Sequence, residues 1–153
     1  MKKFLSLVLV LAMVLALGVT ACAADEYEIV VVPKDSSNPW FVRMKAGVDE
    51  YAAAHDDHEI YQKGTDEIDA TKQAQLVEDL IAQGVDAICV VPVDIESMDA
   101  ALKKAKEAGI VVIAHEGADL KNVDYDIEAF SNAGYGAFIM DNLAEAMGEE
   151  GLY

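Results

Sequence analysis

Apolar residues in this chain come in short, nearly uninterrupted runs separated by stretches with helical spacing. Glu28-Ile-Val-Val-Val32, Val85 to Val91 and Ile110-Val-Val-Ile113 are the clearest of these runs. A strand apolar at consecutive positions must be covered on both faces, which points to a parallel sheet enclosed by helices. Between the runs, Asn38-Pro39 supplies a helix N-cap and a first-turn proline. Phe41, Met44, Val48 and Tyr51 then recur on one helix face. Glu59-Ile60-Tyr61 is a weaker second strand. A second helix starts near Asp69, with Leu76, Val77, Leu80 and Ile81 inward and Gly84 just past its end. Asp94 or Ser97 caps a third helix that closes at Gly109. The helix–glycine–strand junctions at Gly84 and Gly109 fit successive right-handed crossovers. The expected fold class is therefore α/β, an open parallel sheet of four strands between Glu28 and Ile113 with helices on both faces.

After Ile113 the pattern breaks. Residues 114–126 have no apolar periodicity, and Ile127 to Phe130 reads as a short extended crossing. Gly134 to Met147 reads as a fourth helix, with Tyr135, Ile139, Leu143 and Met147 at steps of four and Gly148 ending it. Gly151-Leu152-Tyr153 resembles a strand just beginning, so a chain cut short before its next βα unit is expected.

The N-terminus has a different character. Lys2 and Lys3 precede an apolar run from Phe4 to Leu17, and small residues follow. That order is a secretory signal, assigned here to residues 1–21. The run falls short of the ~20 residues that span a bilayer. Val19-Thr20-Ala21-Cys22 resembles a bacterial lipobox, so Cys22 is the expected lipidation site and the only expected membrane attachment. Export to the cell envelope or periplasm follows, with a lipid anchor on the cytoplasmic membrane. Cys89, inside the run from Val85 to Val91, is then left as a buried and unreactive thiol.

Charge excludes one class of partner. The chain carries 11 lysine and arginine residues against 28 acidic ones, a net charge of −17. Nucleic acid requires the opposite sign. His55-Asp56-Asp57-His58 holds metal-ligating residue types, but no second cluster has metal-site spacing, and a solvated turn accounts for it. No serine or cysteine nucleophile motif accompanies His115-Glu116, and Gly134-Tyr135-Gly136 lacks the third glycine of a dinucleotide loop. The acidic stretch 124–128 reads as a solvated face. No catalytic residue, metal or cofactor is expected.

In an open parallel sheet, ligands collect outside the carboxyl ends of the strands. Those ends are Pro33-Lys34-Asp35, Pro92-Val93-Asp94 and Ala114-His115-Glu116, with Trp40-Phe41 close to the first. Sugars present hydroxyls to charged partners and C–H faces to aromatic rings. Lys34, Asp35, Trp40, Phe41, Asp94, His115 and Glu116 are therefore candidate ligand-binding residues for a small polyol.

Val31-Val32-Pro33-Lys34, Asn38-Pro39-Trp40-Phe41, the run from Glu78 to Ile88 and Val111 to Glu116 together resemble bacterial periplasmic sugar-binding proteins of type I. The most similar branch is the autoinducer-2/rhamnose type, near the ribose-binding proteins, and the resemblance extends from about Glu28 to Gly148. It implies a two-lobed receptor, a monomer when full length. Such a receptor holds a small sugar or autoinducer-2-like ligand between its lobes and delivers it to the membrane permease of an ATP-driven importer. On this basis residues 22–130 are an N-terminal ligand-binding lobe, and residues 131–153 carry the first helix of a second lobe. Lys34 matches a ligand-bonding lysine of the autoinducer-2 type, and Trp40 and Phe41 match paired aromatics that pack on the sugar ring. Glu116 stands where the family usually has aspartate, Gly117 where ribose binders have arginine, and Ala118 where a second acidic group is usual. Asn132 matches a hinge-side asparagine that contacts the sugar in the ribose type, which makes it a further candidate ligand-binding residue. The same fold also serves envelope sensors and regulator effector domains. A regulator would need a helix-turn-helix before the first strand, where this chain has its leader.

Overall fold

A computed structural model describes residues 26–148 and residue 151. The leader, Cys22 and, of the strand-like end, Leu152 and Tyr153 lie outside these residues. The elements are β1 (Glu28–Val32), α1 (Pro39–Ala54), β2 (Glu59–Gln62), α2 (Ala70–Gln83), β3 (Ala87–Val90), α3 (Ile95–Glu107), β4 (Val111–His115), β5 (Tyr125–Ile127) and α4 (Asn132–Ala146). All strand pairs are parallel, and the sheet order is β2-β1-β3-β4-β5.

Local chemistry starts and stops each helix. The Asn38 side chain accepts from the Trp40 N–H at 2.9 Å, with Pro39 opening α1. Asp69 caps α2 through the Lys72 N–H, and Asp94, rather than Ser97, caps α3. Gly84 ends α2 at φ 83°, a left-handed conformation that glycine adopts without steric cost.

The chain order sets the layers. From β1 the chain moves outward to β2, then crosses back past β1 to reach β3. With right-handed crossovers, α1 therefore lies on one face and α2 and α3 on the other. Val30, Val32, Ile88, Val90, Val112 and Ala114 point from the sheet into one cluster with Val77 and Leu80 of α2 and Met98, Ala101, Leu102 and Ala105 of α3. On the opposite face Phe41 of α1 is buried, whereas Tyr51, expected on the same inward stripe, is exposed and stacks against His55 at 4.1 Å. Cys89 faces this less covered side. It is half-buried rather than enclosed, and burial raises its thiol pKa.

The sheet has five strands, not four. The extended stretch begins at Tyr125, two residues before its expected start, and pairs with β4 in the register Ile113↔Tyr125, Ala114↔Asp126 and His115↔Ile127. Every residue of β5 is exposed, so the strand has no apolar pattern to betray it. The excursion leading to β5 is fastened by two aspartates. Asp99 on α3 accepts from the N–H groups of Lys121 and Asn122, and Asp124 accepts from the Val112 N–H and the Lys106 ammonium. Among the described residues, no helix is long and apolar enough to cross a membrane.

Candidate functional site

A cleft of about 400 Å3 opens at the carboxyl edge of the sheet, lined by Lys34, Trp40, His115, Glu116, Glu128, Ala129, Phe130 and Asn132. Lys34 follows β1, Glu116 follows β4, and β3 lies between them. Two interstrand spacings, roughly 10 Å, separate those backbones. The gap is closed because both side chains are long: the Lys34 Nζ donates to Glu116 Oε2 at 2.8 Å. Both groups remain partly solvated, and such a pair adds only about 0–1 kcal/mol to stability. Its consequence is positional: it holds a cation and an anion side by side across the mouth of the cleft.

Trp40, in the first turn of α1, is 64% exposed. An indole this open at a cleft presents a flat apolar face beside the charged pair. Its neighbour Phe41 points the other way and is 5% exposed, so only one of the paired aromatics reaches the cleft. His115 places Nδ1 at 2.7 Å from the Ile127 carbonyl. A carbonyl only accepts, so Nδ1 carries a proton and donates, which leaves Nε2 to face the cleft.

Two candidates serve the framework. Asp35 Oδ1 accepts from both the hydroxyl and the backbone N–H of Ser37, at 2.7 and 2.8 Å, forming the turn before α1. These two bonds hold its carboxyl below the usual range. Asp94 caps α3 and binds the Ser97 hydroxyl and N–H, which likewise lowers its pKa. Neither residue lines the cleft. His55 and His58 sit at the opposite, amino-terminal side of the sheet, where His58 Nδ1 lies 2.8 Å from the Asp57 carbonyl. Among the described residues, no group of three or more histidine, cysteine or acidic residues is arranged to hold a metal.

Glu128 and Phe130 were not among the sequence candidates, yet they form one side of the cleft. Reading Tyr125–Ile127 as a strand would have found them, because the strand-end rule then places Glu128 on the same edge as Glu116. Gln73 was also missed. It is the one fully buried polar side chain among the described residues. Its Nε2 donates to the carbonyls of Pro33 and Val91, and its Oε1 accepts from the Val93 N–H. From α2 it thus ties together the segments leaving β1 and β3, directly behind Lys34.

The family model described as a periplasmic binding protein domain matches residues 29–153. The D-ribose/D-allose-binding protein of Pseudomonas aeruginosa is 36% identical over 98 residues, covering 63% of this chain and 31% of its own length. The xylitol-binding protein of Mycolicibacterium smegmatis is 35% identical over 147 residues, covering 88% of this chain and 40% of its own. This chain thus spans well under half the length of either relative. A solved solute-binding protein of an ABC transporter from Clostridium phytofermentas, with bound L-rhamnose, shares the fold: TM-score 0.73 at 20% identity, over 84% of this chain and 40% of that one.

Proposed function

The chain belongs to the periplasmic binding protein domain family, and from that premise we propose that it supplies one wall of a sugar site in the substrate-binding component of an ATP-driven importer. The observation that carries this reading is the Lys34–Glu116 pair, held across the cleft beside the open face of Trp40. Ammonium and carboxylate offer a donor and acceptors to vicinal hydroxyls, and the indole packs on the C–H face of a ring. His115 Nε2 and the Asn132 amide add polar groups at the rim. The chemistry needs no bond to break, so the chain acts as a receptor and not as a catalyst. The ligand is a small neutral sugar, a polyol or an autoinducer-2-like compound.

The organisation follows from the same premise. Residues 22–130 are the ligand-binding lobe, and residues 131–153 contribute the first helix of a second lobe that closes over the ligand. The absence of any buried residue in α4 supports that division. Residues 1–21 direct export, Cys22 carries the lipid, and the receptor works at the outer side of the cytoplasmic membrane with a permease as its partner.

Trp40 is the sole tryptophan of the chain, so its fluorescence reports the cleft without interference. Titration with D-ribose, D-allose, xylitol, L-rhamnose and autoinducer-2 is expected to change that emission saturably for at least one compound. Unchanged emission across the series, together with unperturbed amide signals around Lys34 and Glu116, overturns the reading.

A further inference from the structure

Glu116 has φ 55°, and it is the only non-glycine residue with positive φ among the described residues. A residue with a Cβ stays in the left-handed region only where its surroundings over-determine it. Three features do so here. A Cβ on Gly117 would lie 2.8 Å from Leu120 Cδ1 and 3.0 Å from Ala114 Cβ, so the chain turns through a tight space in which a side chain would have to displace its neighbours. The Gly117 carbonyl accepts from the Leu120 N–H at 2.8 Å. The Gly117 N–H donates to Glu128 Oε1 at 2.9 Å, in a half-buried position.

Glu128 is placed for this by register. His115 pairs with Ile127, so Glu116 and Glu128 are the next positions on adjacent parallel strands. Two carboxylates so placed repel unless each has its own donor. The Lys34 ammonium serves Glu116, and the Gly117 N–H serves Glu128.

We infer that Glu128 is a positioning residue for the proposed sugar site: by gripping the Gly117 N–H, it keeps Glu116 in the left-handed turn that delivers its carboxylate to Lys34 and the cleft. The inference rests on the sugar-binding reading of that cleft. The Glu128 contact is charge-assisted, which makes it stronger than a neutral hydrogen bond. Without it, Glu116 relaxes toward ordinary backbone angles and its carboxylate leaves Lys34.

The test is NMR spectroscopy of the full chain as wild type, Glu128→Gln and Glu128→Ala. In the wild type, the Gly117 amide proton should shift as the carboxylate titrates. Glu116, His115 and Lys34 face the same space, and loss of the shift in Glu128→Gln assigns it to Glu128. In Glu128→Ala, the Glu116 carboxyl signal should move toward that of an unpaired side chain. Affinity for whichever of D-ribose, D-allose, xylitol or L-rhamnose binds should fall about tenfold. Glu128→Gln, which keeps an oxygen acceptor, should restore part of that loss, with the urea midpoint of all three proteins similar. A Gly117 amide that ignores Glu128, or a Glu116 signal unchanged in Glu128→Ala, overturns the inference. Silence of the wild type toward every sugar instead overturns the sugar-binding reading, since the amide and carboxyl signals report the turn without ligand.

Discussion

Lys34 and Glu116 meet across the end of β3 although their strands do not touch, so the pair depends on side-chain length more than on backbone proximity. In the proposed sugar complex, a ligand hydroxyl set between them would exchange an ion pair for two charge-assisted hydrogen bonds. Glu116→Ala leaves one ligand group and the Lys34 ammonium unpaired in the occupied cleft. The expected loss is about 1–3 kcal/mol, or roughly tenfold to a hundredfold in affinity. His55→Ala, at the far edge of the sheet, should leave affinity unchanged, and calorimetric titration of the two variants side by side checks the contrast. Gln73 acts at the same scale but on stability. Gln73→Met keeps the volume and strands two carbonyls and one N–H, so urea unfolding should show a loss of about 2–4 kcal/mol. Its role was illegible in the sequence because its partners lie 40, 18 and 20 positions away, and a glutamine on a helix carries no local sign of burial.

Elements declared themselves where their chemistry is local. Asn38-Pro39, Asp69 and Asp94 cap helices within three residues, and β1, β3 and β4 are apolar because they are sheathed by helices. The β5 strand escaped notice because an exposed three-residue edge needs no apolar side chains; it is held by its ladder to β4 and by the clasp before it. That clasp is acidic and therefore sensitive to pH. Burial alone would raise the Asp99 pKa, but the N–H groups of Asn122 and Lys121 outweigh it and lower the pKa. The Lys106 ammonium and the Val112 N–H lower that of Asp124. Both groups thus have folded-state values below the ordinary 3.8. Their contribution is fully present above the unfolded-state pKa and is lost as pH falls through the folded-state values. Thermal unfolding followed from pH 6 down to about pH 2 should therefore show a midpoint that declines from near pH 4 downward. Asp124→Asn should lower the midpoint at neutral pH and flatten that decline. An identical slope in the variant would remove Asp124 from the clasp.

At the scale of the whole molecule, the described residues form a well-packed sheet domain followed by a helix that packs on little. Tyr135, Phe138, Ile139, Met140 and Leu143 of α4 are all exposed, Phe138 at 67%, and the helix buries no residue. Since α4 adds almost nothing to the core, ending the chain after Phe130 should change the stability of the sheet domain by less than about 0.5 kcal/mol, measured by urea unfolding. The ligand is affected differently. A binding pocket buries most of its ligand's surface, whereas the residues lining this cleft all come from the sheet edge and the first turns of α1 and α4. A sugar seated on Lys34, Glu116 and Trp40 keeps much of its hydration and still gives up its translational and rotational freedom. The net should be near −4 kcal/mol, a Kd of about 1 mM, for whichever sugar the chain prefers. Joining a second lobe to α4 would enclose the opposite face of the same ring and convert those half-made contacts into buried ones. The check is to titrate the present chain by NMR, then the same chain extended with the second lobe of a sugar-binding relative. A gain of two or more orders of magnitude on extension is expected, with the Lys34 and Glu116 signals shifting in both. Submicromolar binding by the present chain would mean that the sheet edge alone forms a complete site, and the two-lobe reading would fail.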